Sequence, residues 1–206
     1  MTCDPRRGQY EYFLNVPNPY AGATVEVDIT DFMQKIGDAP FFLSFLFAVS
    51  RAANALPELR RRLLPDGRVA EYVHSNPSYT LLKPDRSAYV YCLVESDLTD
   101  RAAFIAEGKR RQEEVLARGT MTDDGDVRSH IFVTSLPWLS YTQIVLPCGT
   151  PDESNPRFAW GKFREENGNI ILPVSLYVHH ALADGWHIGQ FFEKLRAELE
   201  RIEPSV

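Results

Sequence analysis

Two adjacent histidines, His179 and His180, precede an aspartate–glycine pair, Asp184 and Gly185, by only a few residues. A histidine side chain titrates near neutral pH, so it can take a proton from a hydroxyl or a thiol under physiological conditions. Asp184 can accept hydrogen bonds from the first N–H groups of a helix, and Gly185 tolerates a tight corner. The stretch therefore allows two interpretations: a general base at a structured corner, or a helix N-cap preceded by two incidental histidines.

The same stretch offers enough ligand atoms for a zinc ion if His187 is counted with His179, His180 and Asp184. Adjacent residues of a strand point to opposite faces, so only one histidine of the pair can face a shared ion. The sequence also lacks a closely spaced cysteine pair and an HExxH helix signature. We therefore expect no metal centre.

The flanking residues place this corner between a strand and a helix. Val174, Leu176 and Val178 alternate with polar or small residues, which predicts a strand. Apolar residues then recur at helical spacing between Trp186 and Ile202, which predicts an amphipathic helix. Side chains at the end of a rigid strand are held in place while the corner stays open to a ligand.

Length and composition exclude several classes of protein. With 206 residues, 44% of them hydrophobic, the chain is predicted to form a single domain over residues 1–206. The net charge of −6 and the absence of a basic face argue against nucleic-acid binding. No apolar run approaches the roughly 18 residues of a membrane span, and the N-terminus has no signal-peptide core. Three scattered cysteines, Cys3, Cys92 and Cys148, favour a reducing environment, so we expect a cytoplasmic protein.

Other stretches predict a strand over 23–29, a buried helix over about 40–55, a hairpin at Asp66-Gly67 and a polar helix over 101–118. Within residues 130–146, two apolar strand-like pieces flank Leu136-Pro137-Trp138. In the second piece Leu139, Tyr141, Gln143 and Val145 would share one face of a strand. The arginine run 60–62 is most simply a solvated helix end, and a phosphate contact is the alternative.

The run HHALADGWHIGQFFEKL resembles the active-site signature of the chloramphenicol acetyltransferases, whose pattern is HHxxxDGxH. Lipoyl-type acyltransferase cores and the condensation domains of peptide synthetases share the shorter HxxxDG. The resemblance implies that His180 is the catalytic base and that Asp184 has a structural role, paired with an N-terminal arginine. Arg6 falls on that arginine, and Arg7 is the alternative.

Further stretches resemble the family in the same order, so the resemblance extends from Arg6 to Leu195. They are NALPELR at 54–60, NPSYT at 76–80, LPW at 136–138 and FAWGKF at 158–163. The resemblance implies an α/β sandwich in which helices cover a large, mostly antiparallel mixed sheet, as in CoA-dependent acyltransferases. It also implies a homotrimer with each active site at a subunit boundary.

The resemblance further assigns substrate contacts. It implies that the acceptor pocket is lined by Phe13, Trp138, Tyr141, Phe158 and Ala159, and that Lys162 and Phe163 hold coenzyme A. The aromatic character of this set, together with Trp160, suits an apolar or aromatic acceptor. Chloramphenicol, the family's named substrate, and hence antibiotic resistance, is the first expectation.

The implied reaction is direct transfer of an acetyl group from acetyl-CoA to an acceptor hydroxyl, with no covalent enzyme intermediate. The family has a serine where Gln143 aligns and a threonine where Ala159 aligns, so both hydroxyls that usually serve the oxyanion are missing. Our hypothesis is that the amide of Gln143 replaces the serine as the oxyanion donor. The alternatives are a non-catalytic member that binds a small ligand or acyl-CoA without turnover, and a metal-dependent hydrolase.

Overall fold

The computed structural model of the chain describes residues 6–122, 124–149 and 153–204. Within these residues the strands are β1 (Tyr20–Asp28), β2 (Arg61–Leu63), β3 (Val69–Glu71), β4 (Pro77–Leu82), β5 (Tyr89–Leu93), β6 (Ile131–Ser135), β7 (Arg157–Trp160), β8 (Arg164–Glu166) and β9 (Asn169–His179). The helices are α1 (Arg7–Leu14), α2 (Thr30–Ile36), α3 (Phe41–Asn54), α4 (Arg101–Arg118) and α5 (Gly185–Glu200). Short 3-10 turns span Pro57–Arg60 and Val127–Ser129.

The main sheet has seven strands in the order β1-β9-β7-β6-β4-β5, and β8 pairs with the first part of β9. The β1-β9, β7-β9, β8-β9 and β4-β5 pairs are antiparallel, whereas β4-β6 and β6-β7 are parallel. Strands β2 and β3 form a separate hairpin. Its turn contains Gly67 at φ +80°, as the Asp66-Gly67 pair predicted. The predicted α/β sandwich with a large, mostly antiparallel sheet is confirmed.

One face of the sheet is covered by helices. Val174, Leu176 and Val178 of β9 belong to the hydrophobic core, together with the apolar residues of α3 and α5. Helix α3 is apolar nearly all round, and ten of its fourteen residues are buried. Its Phe45 ring lies 5.1 Å from the Trp160 ring of β7. We call this side of the sheet the helix face.

The opposite face is covered by a chain segment without regular structure. Side chains alternate along a strand, so Ser175 and Tyr177 of β9 point away from the helices. The Tyr177 hydroxyl donates to the carbonyl of Ile144, and the Tyr141 hydroxyl lies 3.2 Å from Ser175 Oγ. We call this side the open face, and residues 136–149 the cover segment.

The prediction of a strand after Trp138 is wrong, because the structure has no strand in the cover segment. A strand needs a neighbour with unpaired backbone groups, and β6, β7 and β9 are each paired on both sides. The segment instead turns after β6, with Leu139 N–H donating to Leu136 O and Lys162 N–H donating to Leu139 O.

The expectation of solvated side chains for the arginine run is wrong for Arg62, which is fully buried. Its guanidinium donates to the carbonyls of residues 59, 61, 128 and 130 and to the hydroxyl of Ser75. Burial lowers the pKa of Arg62 to about 10, although the nearby Tyr72 and Asp126 act in the opposite direction. The side chain is therefore charged at neutral pH, and backbone carbonyl groups take the place of the water molecules that would otherwise solvate it.

Among the described residues, no single helix is long and apolar enough to cross a membrane. Helices α2 and α3 reach that length and composition only as a pair, bent by 118°.

Candidate active site

The corner after β9 is built around Asp184, which is the N-cap of α5. Its Oδ1 accepts hydrogen bonds from the backbone N–H of Trp186 at 3.0 Å and of His187 at 3.4 Å. In return, His187 Nδ1 accepts from the Asp184 N–H at 3.0 Å, which completes a capping box. The N-cap interpretation of Asp184 is therefore correct, and His187 is the second half of the cap.

The second carboxylate oxygen of Asp184 is held by the N-terminal helix. Arg6 Nη1 lies 2.5 Å from Oδ2, and Gln9 Nε2 donates to the same atom at 3.2 Å. The structure thus pairs Arg6 with Asp184, whereas Arg7 pairs with Glu11 at 2.8 Å. One carboxylate joins the first helix to the last.

These partners fix the charge of Asp184. Partial burial acts to raise its pKa, but the Gln9 hydrogen bond, the electrostatic interaction with His187, the hydrogen bond from the His187 backbone N–H and the Arg6 hydrogen bond outweigh it. The net result lowers the pKa of Asp184 to about 2. The carboxylate is ionised throughout the neutral range, so it serves as an anchor and not as a proton donor.

His180 lies directly on this anchored corner. Its backbone N–H donates to Pro19 O at 2.7 Å, and its ring stacks on the ring of Phe13 at 3.8 Å with an interplanar angle of 7°. Its Nδ1 is buried and makes no hydrogen bond within the described part of the chain. The imidazole is held by stacking and by its backbone, and Nε2 is left as the nitrogen that can meet a substrate.

His179 has different surroundings. It is buried, its Nδ1 accepts from the Ala181 N–H at 3.2 Å, and its ring packs edge-on against Tyr20 at 5.6 Å. The two histidines therefore do not share a direction. In the part of the chain that the structure describes, no group of three or more His, Cys, Asp or Glu side chains is placed to hold a metal ion.

A row of hydroxyl groups crosses the open face near the middle of β9. The Tyr141 hydroxyl lies 3.2 Å from Ser175 Oγ, which in turn lies 2.8 Å from Thr24 Oγ1. Ala159 stands directly opposite Ser175 in the β7-β9 pairing and therefore shares its face. The loss of a hydroxyl at Ala159 is thus accompanied by three hydroxyls beside it.

Three other predicted residues lie at a cavity on the helix face. The cavity, of about 370 Å³, extends from α3 to the ends of β4, β6 and β7. Trp138, Lys162 and Phe163 line it together, and the Phe163 ring lies 5.9 Å from that of Phe41. We call it the helix-side cavity.

Phe158 does not reach a pocket from its position. It is fully buried on the helix face, where its ring lies 4.9 Å from that of Phe191. Trp160 is likewise a core residue. The assignment of Phe158 to the acceptor pocket therefore needs correction: it stands opposite Leu176 in the strand pairing, and that register turns it toward the helices. Gln143 is exposed and makes no hydrogen bond to another described residue.

The predicted residues thus form two groups. The corner group consists of Arg6, Phe13, His180 and Asp184; the sheet group consists of Trp138, Tyr141, Ala159, Lys162 and Phe163. Ser175, which lies beside the sheet group, is in β9, five residues before His180, and His180 directly follows the last residue of that strand. At the usual rise per residue their Cα atoms are roughly 17 Å apart. Within the described residues, no hydrogen bond or ring contact joins His180 to the sheet group.

The family model described as chloramphenicol acetyltransferase matches residues 2–196. The chain belongs to this family. A chloramphenicol acetyltransferase from Streptomyces acrimycini is 28% identical over 204 residues, covering 95% of this chain and 90% of the relative. One from Clostridium perfringens is 29% identical over 187 residues, covering 90% of this chain and 88% of the relative.

A solved chloramphenicol acetyltransferase structure superposes with a TM-score of 0.80 at 26% identity, covering 95% of both chains. The resemblance stated from the sequence is confirmed, and as a member of this family the protein is an acyltransferase.

Sequence reasoning missed four participants. Gln9 and His187 complete the Asp184 network, and Thr24 and Ser175 complete the hydroxyl row. The HHxxxDGxH spacing contains His187, and its position three residues after an N-cap is a signal for a capping box. The hydroxyl row had no local signal, because its members come from three distant parts of the chain.

Proposed function

We propose that the protein transfers an acetyl group from acetyl-CoA to a hydroxyl of a small molecule, with His180 as the general base. The main support for the proposal is the environment of the His180 ring. Its ring is fixed by Phe13 and by the Asp184 corner, and yet neither ring nitrogen is used by the described residues. A positioned imidazole with a free nitrogen is what general-base catalysis requires.

In the proposed reaction His180 removes the proton of the acceptor hydroxyl as its oxygen attacks the thioester carbonyl. The tetrahedral intermediate then collapses, the C–S bond breaks, and the imidazolium returns the proton to the leaving thiolate. Both substrates are bound together, so proximity supplies much of the rate and no acyl-enzyme is needed.

The oxyanion of that intermediate needs a hydrogen-bond donor, typically worth about 3 kcal/mol. We assign this role to the side-chain amide of Gln143. Its exposure in a single chain leaves both amide hydrogens available, and its neighbour Tyr141 is held on the sheet through Ser175.

We assign the binding of acetyl-CoA to the helix-side cavity. Lys162 brings a cation to its wall for the phosphate groups, and aromatic rings including Phe163 and Trp138 provide apolar surface for the remainder. We expect Lys162→Gln to raise the KM for acetyl-CoA with little change in kcat. Lys194→Gln, at a site on α5 remote from this cavity, is the matched control.

We further propose that a homotrimer joins the two groups, so that His180 of one subunit meets the sheet group of its neighbour. Two observations support this: the roughly 17 Å that separates the groups along β9, and the apolar side chains that the cover segment exposes. Trp138 is 53% exposed, Leu139 56% and Val145 83%. Large exposed apolar side chains that lie close together are typical of protein interfaces.

Subunit mixing tests this arrangement. Subunits carrying His180→Gln and subunits carrying Gln143→Ala are each expected to have low activity. Mixed oligomers formed by refolding them together are expected to regain activity, because some sites then combine an intact His180 with an intact Gln143. Light scattering gives the oligomeric state. A monomer with full activity would refute the shared site.

Release of CoA from acetyl-CoA, measured over a panel of alcohols that includes chloramphenicol, tests the function itself. Turnover with at least one alcohol, abolished by His180→Gln, is expected. The competing possibility is a member that binds acyl-CoA without turnover, which the missing hydroxyls at Gln143 and Ala159 would favour. Binding of acetyl-CoA without CoA release by any alcohol would support it. Free thiols at Cys92 and Cys148 fit the proposed cytoplasmic location.

A further inference from the structure

The open face carries a second cavity, of about 440 Å³, with a charged pair that the acetyl transfer does not use. Its wall includes Tyr91, Phe132, Thr134, Cys148, Glu153 and Arg157. The volume is within the range of cavities that bind small molecules. We call it the open-face cavity.

Arg157 is the unusual member of this wall. It is only 9% exposed, its guanidinium lies 5.3 Å from the centroid of the Phe132 ring, and it forms an ion pair with Glu153. A guanidinium has five N–H donors. Arg157 uses one toward Glu153 Oε1 and one toward Asn155 O at 3.3 Å, and its Nε makes no hydrogen bond to a described residue.

Glu153 is also incompletely used. Its Oε1 accepts from Arg157, while its Oε2 accepts no hydrogen bond from the described side chains. The pair therefore has further donor and acceptor atoms in the cavity wall, where a ligand or water can bind them.

One wall of the cavity, at Arg157, lies on the part of the sheet that leads to the corner group. Arg157 of β7 stands opposite Tyr177 of β9. Tyr177 precedes His180 by three residues, so the Cα atoms of these two residues are roughly 10 Å apart. The Glu153 carbonyl accepts from the Tyr20 hydroxyl at 2.7 Å, and Tyr20 packs against His179. Ala159 follows Arg157 on the same face.

We propose that the open-face cavity binds the acceptor, and that Arg157 and Glu153 select neutral, hydroxyl-rich alcohols of the polyol or sugar type. This inference rests on the proposed acetyl transfer. A hydroxyl both donates and accepts, so two neighbouring hydroxyls can satisfy Arg157 and Glu153 together. An apolar ring would displace water from the ion pair without replacing the hydrogen bonds of that water, and an anion would face the like charge of Glu153.

The inference replaces the expectation of an apolar or aromatic acceptor. That expectation was based on Phe13, Trp138, Tyr141, Phe158 and Trp160, and the last two of these face the core. Arg157, between Pro156 and Phe158, is instead the residue of β7 that lines the open-face cavity.

The test compares three primary alcohols at saturating acetyl-CoA: methyl glucoside, 3-phenylpropanol and gluconate. CoA release gives kcat/KM for the wild type, Arg157→Met, Glu153→Gln and a control, Arg164→Met. Arg164 pairs with Glu26 on β1 and is not among the residues that line either cavity. Thermal unfolding of each variant shows whether it is folded. If Arg157→Met does not fold, Glu153→Gln, which keeps the shape of the cavity wall, is used in its place.

We expect the wild type to prefer methyl glucoside over 3-phenylpropanol by at least about 10-fold, and Arg157→Met to lose about 10- to 100-fold with methyl glucoside alone. The control should match the wild type, and the KM for acetyl-CoA should not change. A wild-type preference for 3-phenylpropanol or gluconate, or an equal loss with all three alcohols, would overturn the inference while leaving acetyl transfer intact.

If no alcohol releases CoA, the proposed transfer fails, and calorimetry decides the cavity separately. Binding of methyl glucoside that Arg157→Met abolishes would support the polar selection. Absence of binding by the wild type would refute it.

Discussion

The corner after β9 and the cover segment differ in how completely one chain determines them. At the corner, Asp184 receives hydrogen bonds or ion pairs from Arg6, Gln9, Trp186 and His187. The cover segment has no strand or helix and is anchored mainly through Tyr141 and through the carbonyls of Leu139 and Ile144. In the proposed reaction the two regions would have different tasks: the corner would fix the proton-transfer group, whereas the cover segment would present the surface that meets a substrate or a second subunit.

Loss of the imidazole should have the largest effect. His180→Gln keeps a polar side chain at the corner but removes the base, so kcat is expected to fall by about 1000-fold. CoA release with the best acceptor measures it. His74→Gln, in the loop after β3, is the control and should retain wild-type activity. If His180→Gln retained more than a tenth of kcat, the corner would not hold the base.

Gln143→Ala tests the cover segment in the same assay. Removal of an oxyanion donor is expected to lower kcat by about 100-fold while the KM for acetyl-CoA stays constant, because the interaction forms only in the transition state. Thr142→Ala changes the exposed neighbour and should have no effect. An unchanged kcat for Gln143→Ala would move the oxyanion role elsewhere, with Tyr141→Phe as the next variant.

Arg6→Gln removes a partner of the carboxylate without touching the imidazole. A slight displacement of the corner is expected to lower kcat by about 10-fold. Arg7→Gln removes a solvent-exposed pair with Glu11 and should leave kcat unchanged. Equal effects of the two substitutions would show that Arg6 acts only through net charge.

The smallest effect concerns acid stability. The folded-state pKa of Asp184, about 2, is below its ordinary value of 3.8, so ionisation of this group stabilises the fold at higher pH. This contribution is fully present above the ordinary value and is lost as pH falls through about 2. Urea unfolding of the wild type and Asp184→Asn should therefore give a difference in unfolding free energy that is constant near neutrality and shrinks below about pH 4. A difference that persists at pH 2 would contradict this ionisation.

Local signals predicted the elements whose determinants are local. Helix α4 begins after Asp100, whose side chain accepts from two backbone N–H groups, and ends at Gly119 with φ +71°. The Asp184 corner was equally readable, because its cap lies within four residues. The cover segment was not, because period-2 alternation does not show whether a free sheet edge exists for it.

The wall of the open-face cavity illustrates a second limit of prediction from sequence. The resemblance pointed to the strand that contains Arg157 and Phe158, but which of two neighbours faces the cavity depends on register, and a shift by one residue exchanges the faces. The burial of Arg62 was equally hidden. Its acceptors come from separate parts of the chain, and an arginine run gives no sign of them.

The buried guanidinium of Arg62 has a consequence for local motion. A two-stranded hairpin as short as β2-β3 would be marginal alone. Arg62 of β2, however, donates to the carbonyls of Arg128 and His130 just before β6, so the hairpin can separate from the body of the protein only by breaking these charge-assisted hydrogen bonds. The backbone amides of the hairpin should therefore exchange with deuterium together with those of the large sheet, as one cooperative unit.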